Sequence, residues 1–183
     1  YPSLIFELLI QFSFQNMAYF LLNLIMQFKN PLIENESIIK PNGLWFYGLS
    51  GSGKSYASNY INKYIPKSFI IDGDEIRSNI SFDLGYCLDD RKKQVKRIFG
   101  LATICINQGF FPLISTVYFD KKLTNNLKKI GIKLIEIKRN SKVVNFKNIN
   151  KENVVGKDIT QEKITCDKIV NDIDFKKKLR GLL

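Results

Sequence analysis

Gly43-Leu44-Trp45-Phe46-Tyr47-Gly48-Leu49-Ser50-Gly51-Ser52-Gly53-Lys54-Ser55 reads as an apolar strand, a glycine-rich turn and the opening of a helix. From Gly48 to Ser55 it fits G-x-x-x-x-G-K-[ST], a phosphate-binding loop. The chemistry assigns each position. Gly48, Gly51 and Gly53 lack a Cβ, so the backbone around Leu49, Ser50 and Ser52 can wrap closely about phosphate oxygens. Backbone N–H groups and the positive end of the following helix then face the anion. Lys54 can reach the β- and γ-phosphates, and the Ser55 hydroxyl can ligate Mg²⁺. The ligand predicted from this stretch is a nucleoside triphosphate.

Working outward, the turn is followed by helix-compatible sequence to about Ile65, where Pro66 stops it. Ser68–Ile71 reads as a second strand running into Asp72-Gly73-Asp74. Asp89 and Asp90 open a long helix whose apolar residues Val95, Ile98, Leu101, Ala102, Cys105 and Ile106 recur at helical spacing until Gly109. A third strand at Phe110–Ser115, a helix at Leu123–Ile130 stopped by Gly131, and a fourth strand at Lys133–Ile137 follow. Lys168–Val170 reads as a fifth strand and Phe175–Leu182 as a closing helix. Alternation of strand and helix predicts an α/β three-layer sandwich: a parallel sheet with helices on both faces.

Before the loop the character changes. Residues 1–28 carry a single charge, Glu7, and are otherwise apolar or neutral polar; 30–42, with Pro31 and Pro41, reads as a linker. The expected organisation is an apolar extension and linker over 1–40 and a catalytic domain, carrying the phosphate-binding loop, over 41–183. The stretch 1–28 is a candidate for membrane or partner contact, and its lack of a basic leader argues against a signal peptide. A start at Tyr1 rather than Met suits a fragment.

The 183 residues are 45% hydrophobic, enough for a substantial core, and carry a formal charge of +11. The lysines are scattered rather than interleaved with aromatics in a stripe, so a basic protein handling polyphosphates is expected, not a nucleic-acid binder. Histidine is absent, which excludes Ser–His–Asp and Cys–His catalysis and disfavours a transition-metal site. Cys87, Cys105 and Cys166 have no paired spacing, as expected of a cytoplasmic protein without a disulfide framework.

Asp72-Gly73-Asp74-Glu75-Ile76-Arg77 falls at the C-terminal end of the second strand, where open α/β sheets bind ligands. Carboxylates there can accept a hydroxyl proton or hold Mg²⁺ through water, and an arginine can grip a phosphate on the acceptor.

Taken with Gly48–Ser55, the pieces Asp72-Gly73-Asp74-x-x-Arg77, Asp83-Leu84-Gly85-Tyr86 and Asp90-Arg91-x-x-x-x-x-Arg97-Ile98 resemble the adenylylsulfate kinase family over residues 43–117. The resemblance implies transfer of the ATP γ-phosphate to the ribose 3′-hydroxyl of adenosine 5′-phosphosulfate (APS), giving PAPS. It also implies catalytic roles for Lys54, Asp72 and Asp74, with Mg²⁺ at Ser55 and, through water, at Asp72. Acceptor binding is implied for Asp74, Arg77, Tyr86, Arg91, Gln94 and Val117. Tyr86 stands where the family stacks a phenylalanine on the acceptor base, and keeps the ring. The expected partners are ATP and a nucleotide acceptor, with a homodimer as a candidate assembly.

Three departures sit on the acceptor side. Gln94 replaces the family's asparagine. Tyr118-Phe119-Asp120-Lys121 replaces Ser-Pro-Tyr-Arg. The lysine-rich lid is cut down to Asn145–Lys157, although Asn153-Val154-Val155-Gly156-x-Asp158-Ile159 resembles its end. A relative that phosphorylates cytidine diphosphoramidate is therefore the alternative activity. A nucleotide-binding interaction module is the alternative of another class, but it would not need an acceptor-side acid beside Lys54, Ser55 and Arg77.

Overall fold

The computed structural model describes residues 40–139 and 152–183; the apolar stretch 1–28 and the first part of the shortened lid lie outside them. Residues 40–183 form one compact unit. Its centre is strand β1 (Gly43–Tyr47), every residue of which is buried. Strands β2 (Ser68–Asp72), β3 (Phe111–Thr116), β4 (Ile132–Lys138) and β5 (Asp167–Val170) complete the sheet. Their order is β2-β3-β1-β4-β5, and every neighbouring pair is parallel.

A parallel sheet covered on both faces needs strands apolar on both sides, and β1 supplies this by simple alternation. Trp45 and Tyr47 point to one face, where they meet Val95, Ile98, Ala102 and Cys105 of helix α3 (Leu88–Asn107) and Leu127 of α4 (Thr124–Lys129). Leu44 and Phe46 point to the other, against Ala57 and Ile61 of α1 (Lys54–Asn62) and Phe175 and Leu179 of α5 (Phe175–Arg180). Burying each such large side chain contributes roughly 1.5–3 kcal/mol. The indole of Trp45 is wholly enclosed because its Nε1–H donates to Thr116 Oγ1 at 2.8 Å, so no buried donor is left unpaid.

The expected alternation of elements is observed, with one addition. Gly73–Asn79 forms a seven-residue helix, α2, directly after β2. The first helix also stops at Asn62, ahead of Pro66, and the closing helix at Arg180. Gly109 and Gly131 stand at φ 76° and 75° just past the ends of α3 and α4, the left-handed stops that glycine adopts without strain.

β1 lies between β3 and β4, so the chain switches sides at β1 and opens a crevice at the C-terminal ends of the strands. The segments leaving those ends carry the loop at Gly48, Asp72, Val117, Arg139 and Asn171. No helix among the described residues is long and apolar enough to cross a membrane.

Candidate active site

The phosphate loop leaves β1 at Gly48 and closes on α1. Gly48 has φ 148°, and a Cβ there would run into the Ile137 carbonyl of β4. Gly53 caps α1 at φ 106°, and a Cβ there would strike the Asn171 side chain. These positions require glycine for space as well as for dihedral angle. Within the turn, Ser52 N–H donates to Leu49 O at 3.1 Å, while Ser50 and Gly51 face the cleft.

Lys54 curls back over the loop, its Nζ donating to Leu49 O at 2.8 Å. It is 7% exposed, and burial pulls its ammonium down to about 8, with Asp74 and then Asp72 opposing the shift. Ser55 Oγ donates to Asp72 Oδ2 at 2.7 Å. The other Asp72 oxygen accepts from Asp74 N–H at 3.0 Å, so Asp72 is the N-cap of α2. One carboxylate thereby touches the end of the phosphate loop and sets the start of the helix carrying Asp74 and Arg77. Asp74 itself is exposed in the first turn of α2.

Across the cleft, Arg77 donates to the carbonyls of Leu84 and Gly85 and holds its guanidinium 4.6 Å from the Tyr86 ring centroid. Arg91 stands 5.6 Å from the same centroid, donates Nε–H to Tyr86 O at 2.9 Å, and donates from Nη2 to Asn153 O at 2.8 Å. Arg91 thus ties the Tyr86 loop to the segment that resembles the lid's end. Burial, and then the neighbouring Arg77, lowers the Arg91 guanidinium from its usual range. The Asp83–Arg97 pair, at 2.5 and 2.8 Å, braces the base of the Tyr86 loop.

Gln94 is buried on α3 and donates from Nε2 to Gly73 O at 3.0 Å. A carbonyl only accepts, so this contact fixes which end of the amide is NH₂. Its Oε1 is buried with no partner among the described residues. Val117 follows β3, and together these residues line an open cleft with Ser50, Gly51, Lys54, Ser55, Asp72 and Asp74. Every acceptor-side residue expected from the sequence lines this one cleft, with Lys54, Ser55 and both aspartates.

The Tyr118–Lys121 departure has a structural explanation. Tyr118, Phe119 and Asp120 are buried; Phe119 packs edge-to-face on Trp45 at 5.2 Å and exchanges two hydrogen bonds with the Gln161 amide. Asp120 caps the short turn Lys121–Leu123 through Lys122 N–H. Burial pushes the Tyr118 phenol up to about 12, so it stays neutral. Tyr118, Phe119 and Asp120 have become core, Tyr118 at the wall of the cleft, while Lys121 stays exposed.

Two contacts were not foreseen from the sequence. Arg139 donates to Gly51 O at 3.2 Å, and Asn171 Nδ2 donates to Ser52 O at 2.8 Å. Each joins the loop to a distant strand end, and nothing in local spacing signals either. As for a cation, the donor set at Ser55 and Asp72 is two hard oxygens in contact, which suits Mg²⁺ held largely by phosphate and water. Among the described residues no group of three or more carboxylate or thiol side chains gathers as an all-protein metal site.

A parallel sheet with a glycine-rich anion loop at its switch point, a buried lysine and a serine–aspartate pair defines a phosphate-loop kinase fold. The solved APS kinase CysC of Mycobacterium tuberculosis, in complex with AMPPNP and APS, shares that fold: TM-score 0.65 at 19% identity, covering 78% of this chain and 96% of that one. The model of the adenylylsulphate kinase family matches residues 40–153. The chain belongs to that family. Among curated relatives, the adenylyl-sulfate kinase of Buchnera aphidicola (from Acyrthosiphon pisum) is 34% identical over 109 residues, 57% of this chain and 52% of its own length. That of Prochlorococcus marinus is 36% identical over 94 residues, 46% of this chain and 47% of its own. The chain spans about half the length of the curated relatives it matches.

Proposed function

We propose that this protein is an ATP-dependent adenylylsulfate kinase, transferring the γ-phosphoryl group of ATP to the 3′-hydroxyl of APS. The observation that carries the reading is the single cleft shared by the phosphate loop and the acceptor-side residues Asp74, Arg77, Tyr86, Arg91 and Gln94. A nucleotide-binding module would not need that second set. Phosphoryl transfer asks the protein chiefly for positioning and charge stabilisation, and the residues divide accordingly.

Lys54 releases the Leu49 carbonyl and donates to the β- and γ-phosphates, its charge favoured again by the anion. Ser55 and Asp72 would hold Mg²⁺, which neutralises charge developing on the transferred group. Asp74, one helical step away and exposed to the cleft, accepts the proton of the attacking hydroxyl. Arg77 and Arg91 bind the acceptor's phosphosulfate end, and the exposed Tyr86 ring beside them stacks on its base. The unpaired Gln94 Oε1 asks the acceptor for an N–H or O–H donor, which a base amino group or ribose hydroxyl supplies.

The test is turnover of the purified protein with Mg²⁺-ATP and APS, run beside cytidine diphosphoramidate. ADP and PAPS should form with APS and not with the cytidine compound. Turnover with the cytidine compound alone would move the protein to the other branch, and ATP binding without any acceptor-dependent ADP release would make it a binding module.

A further inference from the structure

We propose that Asn171 is a positioning residue that sets the phosphate loop for its anion by fixing the peptide between Ser52 and Gly53; this rests on the phosphate-loop reading above. Asn171 is tied at both ends. Its backbone N–H donates to Lys138 O at 2.7 Å, locking it to the end of β4. Its side-chain Nδ2 donates to Ser52 O at 2.8 Å, and since that carbonyl only accepts, the amide can face it in one sense alone.

No peptide bond in the described chain is cis, so the Gly53 N–H lies opposite the Ser52 carbonyl. With the carbonyl drawn toward β5, the N–H is turned the other way, and it takes no partner among the described residues. The preceding N–H, that of Ser52, is already spent on Leu49 O. Of these two peptides, Gly53 therefore presents the free donor, at the head of the unpaired N–H groups in the first turn of α1. The fit is close: Gly53 at φ 106° passes so near the Asn171 amide that a Cβ would collide with it. Without Asn171 the Ser52 carbonyl loses its partner, and the peptide is free to rotate and turn its oxygen, a repulsive group, toward the anion.

A direct contact with the nucleotide base is the competing role, since Asn171 also lines an open recess with Gly53, Tyr56, Asp172 and Phe175. Inorganic tripolyphosphate has no base and separates the two. The experiment measures equilibrium binding of tripolyphosphate and of ATP, at fixed Mg²⁺ and salt, to the full chain and to Asn171→Ala and Asn171→Leu. Leucine nearly matches asparagine in size, so it carries the test if alanine loosens the fold.

Both variants should weaken both ligands by the same factor, about tenfold, as one charge-assisted donor is misdirected. The KM for ATP should rise with kcat little changed, because the contact serves ground and transition state alike, whereas a merely structural loss would lower kcat as well. A loss confined to ATP, or no loss for either ligand, overturns the role of Asn171 and leaves the kinase reading standing. A wild-type protein that binds neither ligand overturns both.

Discussion

Burial of Lys54 makes ATP affinity depend on pH. Its ammonium is 7% exposed and lowered from 10.5 to about 8, chiefly by burial. In the free protein it is then about nine-tenths charged at pH 7 and about one-tenth charged at pH 9. Bound phosphates favour the charged form, so binding near pH 8 takes up about half a proton. The apparent Kd for ATP should change little below about pH 7.5 and rise about fivefold between pH 8 and 9.

The same shift acts on folding, with a definite sign. A lysine whose folded pKa lies below its unfolded value costs stability while both states are protonated. That cost is complete below about 8 and is relieved as pH rises toward the unfolded value near 10.5. The lowering from 10.5 to about 8 corresponds to roughly 3 kcal/mol. The ligand-free protein should therefore gain stability from pH 8 to 10, and Lys54→Met should abolish that gain. The assay is calorimetric ATP binding in buffers of different ionisation enthalpy, with denaturant melts of both proteins across the same pH range. If wild type and Lys54→Met show the same pH slope in binding and in stability, Lys54 is not the titrating group and the reasoning fails.

The two aspartates should part company under Mg²⁺ titration. Asp74→Asn should lower kcat by about 10²–10⁴ with ATP affinity nearly unchanged, the usual contribution of a general base. Asp72→Asn should raise the Mg²⁺ requirement, since it loses its charge beside Ser55; rescue of Asp74→Asn by extra Mg²⁺ would reverse the assignment. A protein beginning at Pro41 should melt cooperatively and bind ATP, because β1 and the sheet built on it start there. Aggregation, or a melt without a single transition by circular dichroism, would place residues 1–40 in the core.

The strand–loop–helix unit around Gly48–Ser55 was legible in the sequence because its signals are local. Apolar alternation in β1, glycines where Gly48 and Gly53 later show positive φ, and a lysine–serine pair at a helix start all lie within thirteen residues. The long helix through Val95, Ile98, Ala102 and Cys105 announced itself by period, and the end of β2 located Asp72 and Asp74. Helix α2 escaped because seven residues are too few to show a period, and its cap is a side-chain bond from Asp72.

Only the tertiary structure decided the rest. That β1 lies between β3 and β4 follows from which strands pair, and this order brings Arg77, Tyr86, Arg91 and Gln94 to the loop's cleft. The Arg139 and Asn171 contacts span 88 and 119 residues, and burial of Tyr118–Asp120 depends on Trp45 and Gln161 elsewhere in the chain. Spacing along a sequence encodes what one turn of helix or one strand can reach. Contacts across the sheet exist only once the strands have taken their order.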